Sequence, residues 1–265
     1  LSRAAPNPDV LSRLYLEAVL PCLTDLSEQD PHARAIMGDT RANIALRILG
    51  GPKAVVSFDR GRIVCRAAAD SLPSVTLLFY TRGHLNAFFA GAKWALPLPI
   101  WGGWRVGLLN RFAKLAARLD AVLNGQPQVL ASAEGRRLYA RLSLIAAGLG
   151  LAPLAQGDPD AIHMLQTLPQ GLAAFRIEGE PNSTVWFDRR SGKAVAGWGD
   201  PPRRPDVSIV FGNIDLAYAA MRDEADTMAA IGAGDMTIEG LIPLADGLNV
   251  VMERLRIYLQ PQVIT

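Results

Sequence analysis

Cysteine is nearly absent from this chain: Cys22 and Cys65 stand alone among 265 residues, without CxxC spacing. Two isolated thiols build neither a disulfide framework nor a thiolate metal cluster, and they suit a reducing compartment such as the cytoplasm. Histidine is as scarce. His32, His84 and His163 lie far apart and outside HExxH or any other compact ligand spacing, so no metal or other cofactor is expected. Neither sign of charge dominates, with 27 basic against 25 acidic side chains, and no dense Lys/Arg block points to a nucleic-acid partner. No uninterrupted apolar run reaches the roughly 20 residues that span a bilayer. The opening residues, Leu1–Pro6, carry neither an initiator methionine nor the apolar core of a signal peptide, which leaves a removed leader open.

Recognisable catalytic motifs are missing as well. There is no GxSxG elbow, no Walker loop and no local pairing of a nucleophile with a base. The glycines of Gly232-Ala-Gly234 follow a helical run rather than a strand, so C-capping is expected there instead of dinucleotide binding. A non-enzymatic role is the expectation.

What the chain does have is a copy of itself. Ile44–Arg60 (IALRILGGPKAVVSFDR) aligns without a gap with Ala173–Arg189 (AAFRIEGEPNSTVWFDR) at an offset of 129. Identities include Arg47/Arg176, Gly50/Gly179, Pro52/Pro181, Val56/Val185 and Phe58-Asp59-Arg60/Phe187-Asp188-Arg189. After a small insertion, Pro73–Phe79 matches Pro205–Phe211. Near the ends, Leu108, Phe112, Leu115 and Leu119 match Leu248, Met252, Leu255 and Leu259, both at the i, i+4, i+7, i+11 spacing of a buried helix face. Two long units in one order exclude a short-period solenoid.

Each copy reads as strands followed by helices. Gly50-Gly51-Pro52 and Gly179-Glu180-Pro181 are turns between extended, β-branched and aromatic runs. The first copy continues through Lys53–Asp59, Arg62–Ala68 and Ser74–Thr81. The second has Leu172–Glu178, Thr184–Asp188, Lys193–Trp198 and Val207–Phe211. Asn213 is the expected N-cap of the next helix, for which the first copy offers Gly83–Ala90. Final helices are expected over Leu108–Leu123 and Asp246–Leu259, and approach helices within Leu11–Asp25, Pro31–Arg41 and Ala133–Leu149. Asn124-Gly125-Gln126-Pro127 reads as the linker. The expected division is a helical extension over 1–29, a divergent module over 30–124 and a second module over 125–265. The repeated Asp59 and Asp188, each between Phe and Arg before a glycine turn, read as turn and ion-pair residues rather than catalytic acids.

As an ordered set, the motifs of copy two resemble the sterol carrier protein type 2-like (SCP2-like) domain. They are FRIEG at 175–179, VWFD at 185–188, PDVSIVFGNIDLAYAAM at 205–221 and IGAGDMTIEGLIPLADGLNVVMERLRIYL at 231–259. Copy one keeps LRILGG at 46–51, VSFD at 56–59 and PSVTLLF at 73–79. It has GAKWALP at 91–97 where copy two has GDMTIEG, followed by the Trp-rich PIWGGW. The resemblance implies an α/β (α+β) fold of two modules, each a mainly antiparallel curved sheet covered by helices. It also implies non-catalytic binding and transfer of a sterol, fatty acid or fatty-acyl lipid in an apolar cavity.

Carried onto copy two, which is the closer match, the resemblance makes Val207, Ile209 and Phe211 a sheet wall. Ile214, Leu216 and Met221 become a helix wall, and Met236, Ile238, Leu244, Leu248 and Met252 the opposite side. In copy one, Phe79, Phe88, Phe89, Trp94, Trp101, Trp104 and Phe112 are candidates for a pocket or for transient membrane contact, since indole pairs an apolar body with an N–H. Sealing the two copies together is a further role open to the tryptophans. The partner expected is a hydrophobic small molecule, bound by a monomer with two pseudo-symmetric modules. Two other readings stand beside it: a structural or protein-interaction module with filled cores, and an enzyme or enzyme-associated domain with an unrecognised site.

Overall fold

The structure is a computed structural model that describes residues 6–66, 72–190 and 192–259. Residues 1–5, residues 67 and 68 of the expected third strand, and residues 260–265 of the second module lie outside these. The chain divides between Asn124 and Gly125 into two compact units.

In the first unit, α1 (Pro8–Leu14) runs into a π-type turn at Tyr15–Val19, followed by α2 (Cys22–Gln29) and α3 (Pro31–Met37). Strands β1 (Arg41–Ile48), β2 (Lys53–Asp59), β3 (Arg62–Arg66) and β4 (Val75–Phe79) lead to α4 (Arg82–Phe89), β5 (Leu98–Trp101) and α5 (Val106–Leu123). The second unit has α6 (Pro127–Leu130), α7 (Ala133–Gly157), α8 (Pro159–Gln166), β6 (Gly171–Ile177), β7 (Val185–Arg190), β8 (Lys193–Trp198) and β9 (Val207–Phe211). It closes with α9 (Ile214–Met221), α10 (Thr227–Ala233), β10 (Met236–Gly240) and α11 (Ile242–Leu259).

The sheets are topological copies. Their orders are β3-β2-β1-β4-β5 and, written from the matching edge, β8-β7-β6-β9-β10. Among the described residues only β1–β4 and β6–β9 pair in parallel; the other pairs are antiparallel, so each sheet is mixed around a parallel centre. On one face Ile44, Leu46 and Ile48 oppose Val75, Leu77 and Phe79, all buried. The second sheet repeats this with Ala173, Phe175 and Ile177 against Val207, Ile209 and Phe211. Alternate residues share a face of a strand, which is why the matched Val-x-Leu/Ile-x-Phe patterns land on one core side.

The hairpins differ where the sequences align without a gap. Val56 faces Ile44, whereas its counterpart Val185 faces Phe175 rather than Ala173. The register is slipped by two residues, which keeps every side chain on its face. Gly50-Gly51-Pro52 allows a tight reversal in which Ile48 N donates to Pro52 O. In copy two Glu180 is held instead by Arg137 at 2.7 Å and Arg141 at 2.8 Å from α7. The loop widens until Ser183 Oγ bonds both the N–H and C=O of Ile177 at 3.1 Å.

Several boundaries depart from the expected ones. GAKWALP forms no strand; Leu98–Trp101 occupies the edge position that Met236–Gly240 holds in the second unit. Gly102 and Gly240 then make the same close approach: a Cβ would sit 2.1 Å from Ser74 O in one and 2.2 Å from Asp206 O in the other. Helix α3 stops at Met37 because Gly38 takes φ +52° and β1 starts at Arg41. Helix α7 continues past Leu149 to Gly157 with Pro153 inside it. By length and composition α7 is apolar enough to cross a bilayer, but most of it is buried in the second unit. There it packs on β7, β8, α8, α9 and α11. Gly148 fits directly under Val185, whose methyls a Cβ would meet at 2.5 Å.

Candidate ligand clefts in the two units

The covering helix of the first sheet is irregular, an α-helix that passes into a π-turn before Pro21. Pro21 has no N–H to continue the α-helical ladder, and Leu20 N reaches back to Tyr15 O at 2.9 Å, a five-residue turn. Beside it, α4 is started by Thr81, whose Oγ1 accepts from His84 N at 3.1 Å. Between α1 with Tyr15 and α4 lies an open cleft of about 470 Å³. Its walls are Leu11, Tyr15, Thr81, Gly83, His84, Asn86, Ala87, Ala90 and Trp94.

Most of that lining is apolar or aromatic. Tyr15 stacks on Phe89 with ring centroids 4.7 Å apart, and its hydroxyl pKa is raised by burial and then by Asp120. His84 is fully engaged: Nδ1 accepts from Tyr80 N at 3.3 Å, so Nε2 carries the proton and donates to Leu96 O at 3.2 Å. Its ring stacks with both Tyr80 and Trp94. Asn86 donates from Nδ2 to Pro8 O at 3.0 Å, while its buried Oδ1 has no partner among the described residues.

The second unit has a cleft in the equivalent place, between the start of α7 and α9. It measures about 260 Å³ and is lined by Ala133, Glu134, Arg136, Arg137, Ile214, Asp215 and Tyr218. The matched helix starts are Thr81 and Asn213, each capping its helix, Asn213 through Leu216 N at 2.8 Å. Counting from those caps, Gly83 corresponds to Asp215 and Asn86 to Tyr218. Tyr218 packs edge-on against Tyr139 at 5.6 Å and beneath Arg222. Side-chain volume and charge narrow the second cleft where glycine, asparagine and alanine widen the first.

The residues singled out from sequence separate into groups. Val207, Ile209, Phe211, Leu244 and Leu248 are buried, at 5% exposure or less. Ile209 lies across from Ile238, and Phe211 from Met236. Leu216, Met221, Ile238 and Met252 are half-buried, and Met236 is buried. Of this set, Ile214 reaches the lining of a cleft. In the first unit, Phe79 and Phe88 touch at 5.4 Å, and Phe89 joins Phe88 edge-on at 5.5 Å. Phe112 is buried on α5. Trp94 forms the cleft rim; Trp101 and Trp104 pair edge-on at 5.5 Å and lie outside the lining. Leu11, Tyr15, Asn86 and Ala87 were not legible as site residues, because the packing of α1 against α4 is a tertiary contact that no local pattern reports.

A repeated ion pair steadies both frames. Asp158 caps α8 by accepting from Ala161 N at 2.8 Å, and it is bound by Arg254 at 2.8 Å and the Tyr258 hydroxyl at 2.6 Å. Burial alone would push the Asp158 carboxyl up; Arg254, Tyr258 and the Ala161 N–H outweigh it and hold the carboxyl below its ordinary range. Asp30 caps α3 with the same arrangement, accepting from His32 N at 2.9 Å and from Arg118 at 2.7 Å. Both aspartates precede a proline at the first helical position, the sequence signal that reveals them. Glu180 is likewise lowered, Arg137 and Arg141 overcoming its burial. Asp206, bound by Arg203 and the Leu172 N–H, is lowered to about 2. Asp59 is exposed beside Arg41 and Arg60, and Asp188 pairs with Arg203. Gly234 caps α10 at φ +82°. Cys22 and Cys65 form no disulfide; burial raises both thiols, Cys65 to about 12, which keeps them protonated. Among the described residues no group of three or more His, Cys, Asp or Glu could hold a metal ion.

No family model matches this chain, and no curated protein does. Among solved structures, the sterol carrier protein domain 2 of Helicoverpa armigera matches with a TM-score of 0.34 at 15% identity, over 46% of this chain and 93% of that one. Sterol carrier protein 2 from Yarrowia lipolytica, in its apo form, gives 0.31 at 14% identity, over 40% and 90%. A double mutant of the sec-alkyl sulfatase PisA1 gives 0.25 at 15% identity, over 55% and 28%. Similarity to SCP2-like domains is therefore weak and partial, and at these scores none of the three bears on what this chain does.

Proposed function

We propose that this chain binds a hydrophobic molecule, such as a sterol, fatty acid or fatty-acyl lipid, and passes it on without making or breaking a bond. The binding place is the cleft between α1 and α4. The observation that carries this reading is the cleft itself: about 470 Å³, mainly apolar, inside the size range of small-molecule sites. Removing apolar ligand surface from water contributes about 25 cal/mol per Å², so binding needs few polar contacts. One is at hand. A buried acceptor without a partner costs about 1–3 kcal/mol, and a ligand hydroxyl reaching Asn86 Oδ1 after a small shift of the wall would relieve it. In the second unit, burial of Val207, Ile209, Phe211, Leu244 and Leu248 favours a structural role as the unit stands.

The test is direct. Chain purified under native conditions, then denatured and extracted into organic solvent, is expected to release a long apolar molecule visible by mass spectrometry. Finding none, together with no saturable binding of sterols, fatty acids or acyl thioesters, contradicts the proposal.

A further inference from the structure

We infer that the tryptophan-rich margin of the first unit docks onto the surface of an anionic lipid bilayer. This deepens the carrier reading, by giving the cleft a place to load, but it stands on separate observations. Strand β5 is the outer strand of its sheet. Natural edge strands are usually guarded by charge, and β5 has none: Leu98, Pro99, Ile100 and Trp101 are all exposed. The strip continues on both sides, with Trp94 at 70% exposure and Leu96 and Trp104 at 71%. The fold does not require this. Strand β10, the matching edge, turns Thr237 and Glu239 to solvent.

The chemistry of the strip favours a lipid surface. Indole rings settle at the headgroup level of a bilayer, where the apolar body and the N–H are both satisfied. Exposed Lys93 and Arg105 bracket the strip, and neither forms an ion pair among the described residues. From residue 92 through residue 119 there is no carboxylate, whereas five cations occur, one of which, Arg118, is taken up by Asp30. An apolar and aromatic strip with a basic border complements a surface that is greasy below and anionic above. Trp94 belongs both to the strip and to the cleft rim, so docking brings the cleft mouth to the membrane.

The experiment uses the full chain and vesicles of phosphatidylcholine, alone or with about one third phosphatidylglycerol. Co-sedimentation and the tryptophan emission shift are read together. The chain is expected to bind the anionic vesicles, to bind neutral ones less, and to be released by salt. Trp101→Ser with Trp104→Ser should lower the partition roughly tenfold or more. Lys93→Gln with Arg105→Gln should do so comparably, since each cation at an anionic surface contributes about fivefold. Both pairs are exposed, and circular dichroism checks that each variant keeps the parent fold. No vesicle binding by the parent chain, equal binding to both vesicle types, or unchanged binding by both folded variants overturns the inference. So does self-association in the absence of vesicle binding that the tryptophan variant abolishes, because the strip is then a protein contact. A parent chain that takes up soluble fluorescent fatty acid but ignores vesicles refutes docking alone; one that binds vesicles but no ligand refutes the carrier reading alone.

Discussion

The two units solve one packing problem in two ways. Each lays helices over a mixed five-stranded sheet with the same strand order and ties an Asp-Pro helix start to an arginine on its last helix. In the second, a single helix, α7, crosses the sheet, and the space toward α9 holds Tyr218 and four charged side chains. In the first, the crossing helix passes through a π-turn at Tyr15–Val19 before Pro21, and Gly83, Asn86 and Ala87 leave the equivalent space open. The difference teaches that a shared framework places a cleft but does not decide its size or lining. Side-chain size and charge at a few wall positions do.

That comparison can be broken at several points. The largest effect is expected at the buried ion pair of the second unit. Arg254→Met leaves Asp158 buried without its cation and should destabilise by about 3–5 kcal/mol in chemical denaturation. The equivalent Arg118→Met should cost less, about 1–2 kcal/mol, because Arg118 is a quarter exposed and its pair is partly screened. Equal losses would deny that the second unit is the more tightly closed. Next comes Tyr218→Ala, which removes the ring that lines the second cleft. It should cost about 1–3 kcal/mol yet add no second ligand site in a fatty-acid titration, since Glu134, Arg136, Arg137 and Asp215 remain.

Gly83→Phe probes the other side. A Cβ at Gly83 comes no closer than 3.8 Å to Thr81 Oγ1, so the ring enters the cleft without a clash at its root. Ligand affinity should fall about tenfold or more, roughly 1.4 kcal/mol, with thermal stability retained. Unchanged affinity would place the ligand elsewhere. The smallest effect concerns acid. Asp206 is lowered to about 2 from an ordinary value of about 3.9, so its contribution to stability is present above pH 4 and is lost as pH falls through about 2. Asp206 is one third exposed, so the change is modest. Asp206→Asn should flatten the decline in denaturation midpoint across that interval.

The frame was legible because it obeys local rules. Alternation in Val207–Phe211 and Val75–Phe79 marks a core face, the Gly-Pro turns mark hairpins, and Asn213 reads as an N-cap because its short side chain can reach a helix amide. The two-residue slip of the second hairpin was not legible, since it depends on Arg137 and Arg141 of α7 gripping Glu180 from a distant part of the chain. The position of β5 was hidden for a related reason. Pairing with β4, not propensity, selects Leu98–Trp101 over the preceding segment. Motif likeness drew attention to copy two, whereas the roomier cleft is in copy one, where Leu11 and Tyr15 come from helices that carry no motif. Closure depends on who covers whom, and spacing along one strand does not report it.

The central claim is that the first unit holds the ligand and the second does not. It is tested most directly by irradiating the full chain with a photoactivatable fatty acid and mapping the labelled peptides by mass spectrometry. Labels are predicted on the segments containing Leu11, Tyr15 and Ala87, and competition with unlabelled fatty acid should remove them. Competable labels confined to 207–221 or 236–252, or none anywhere, would contradict the account.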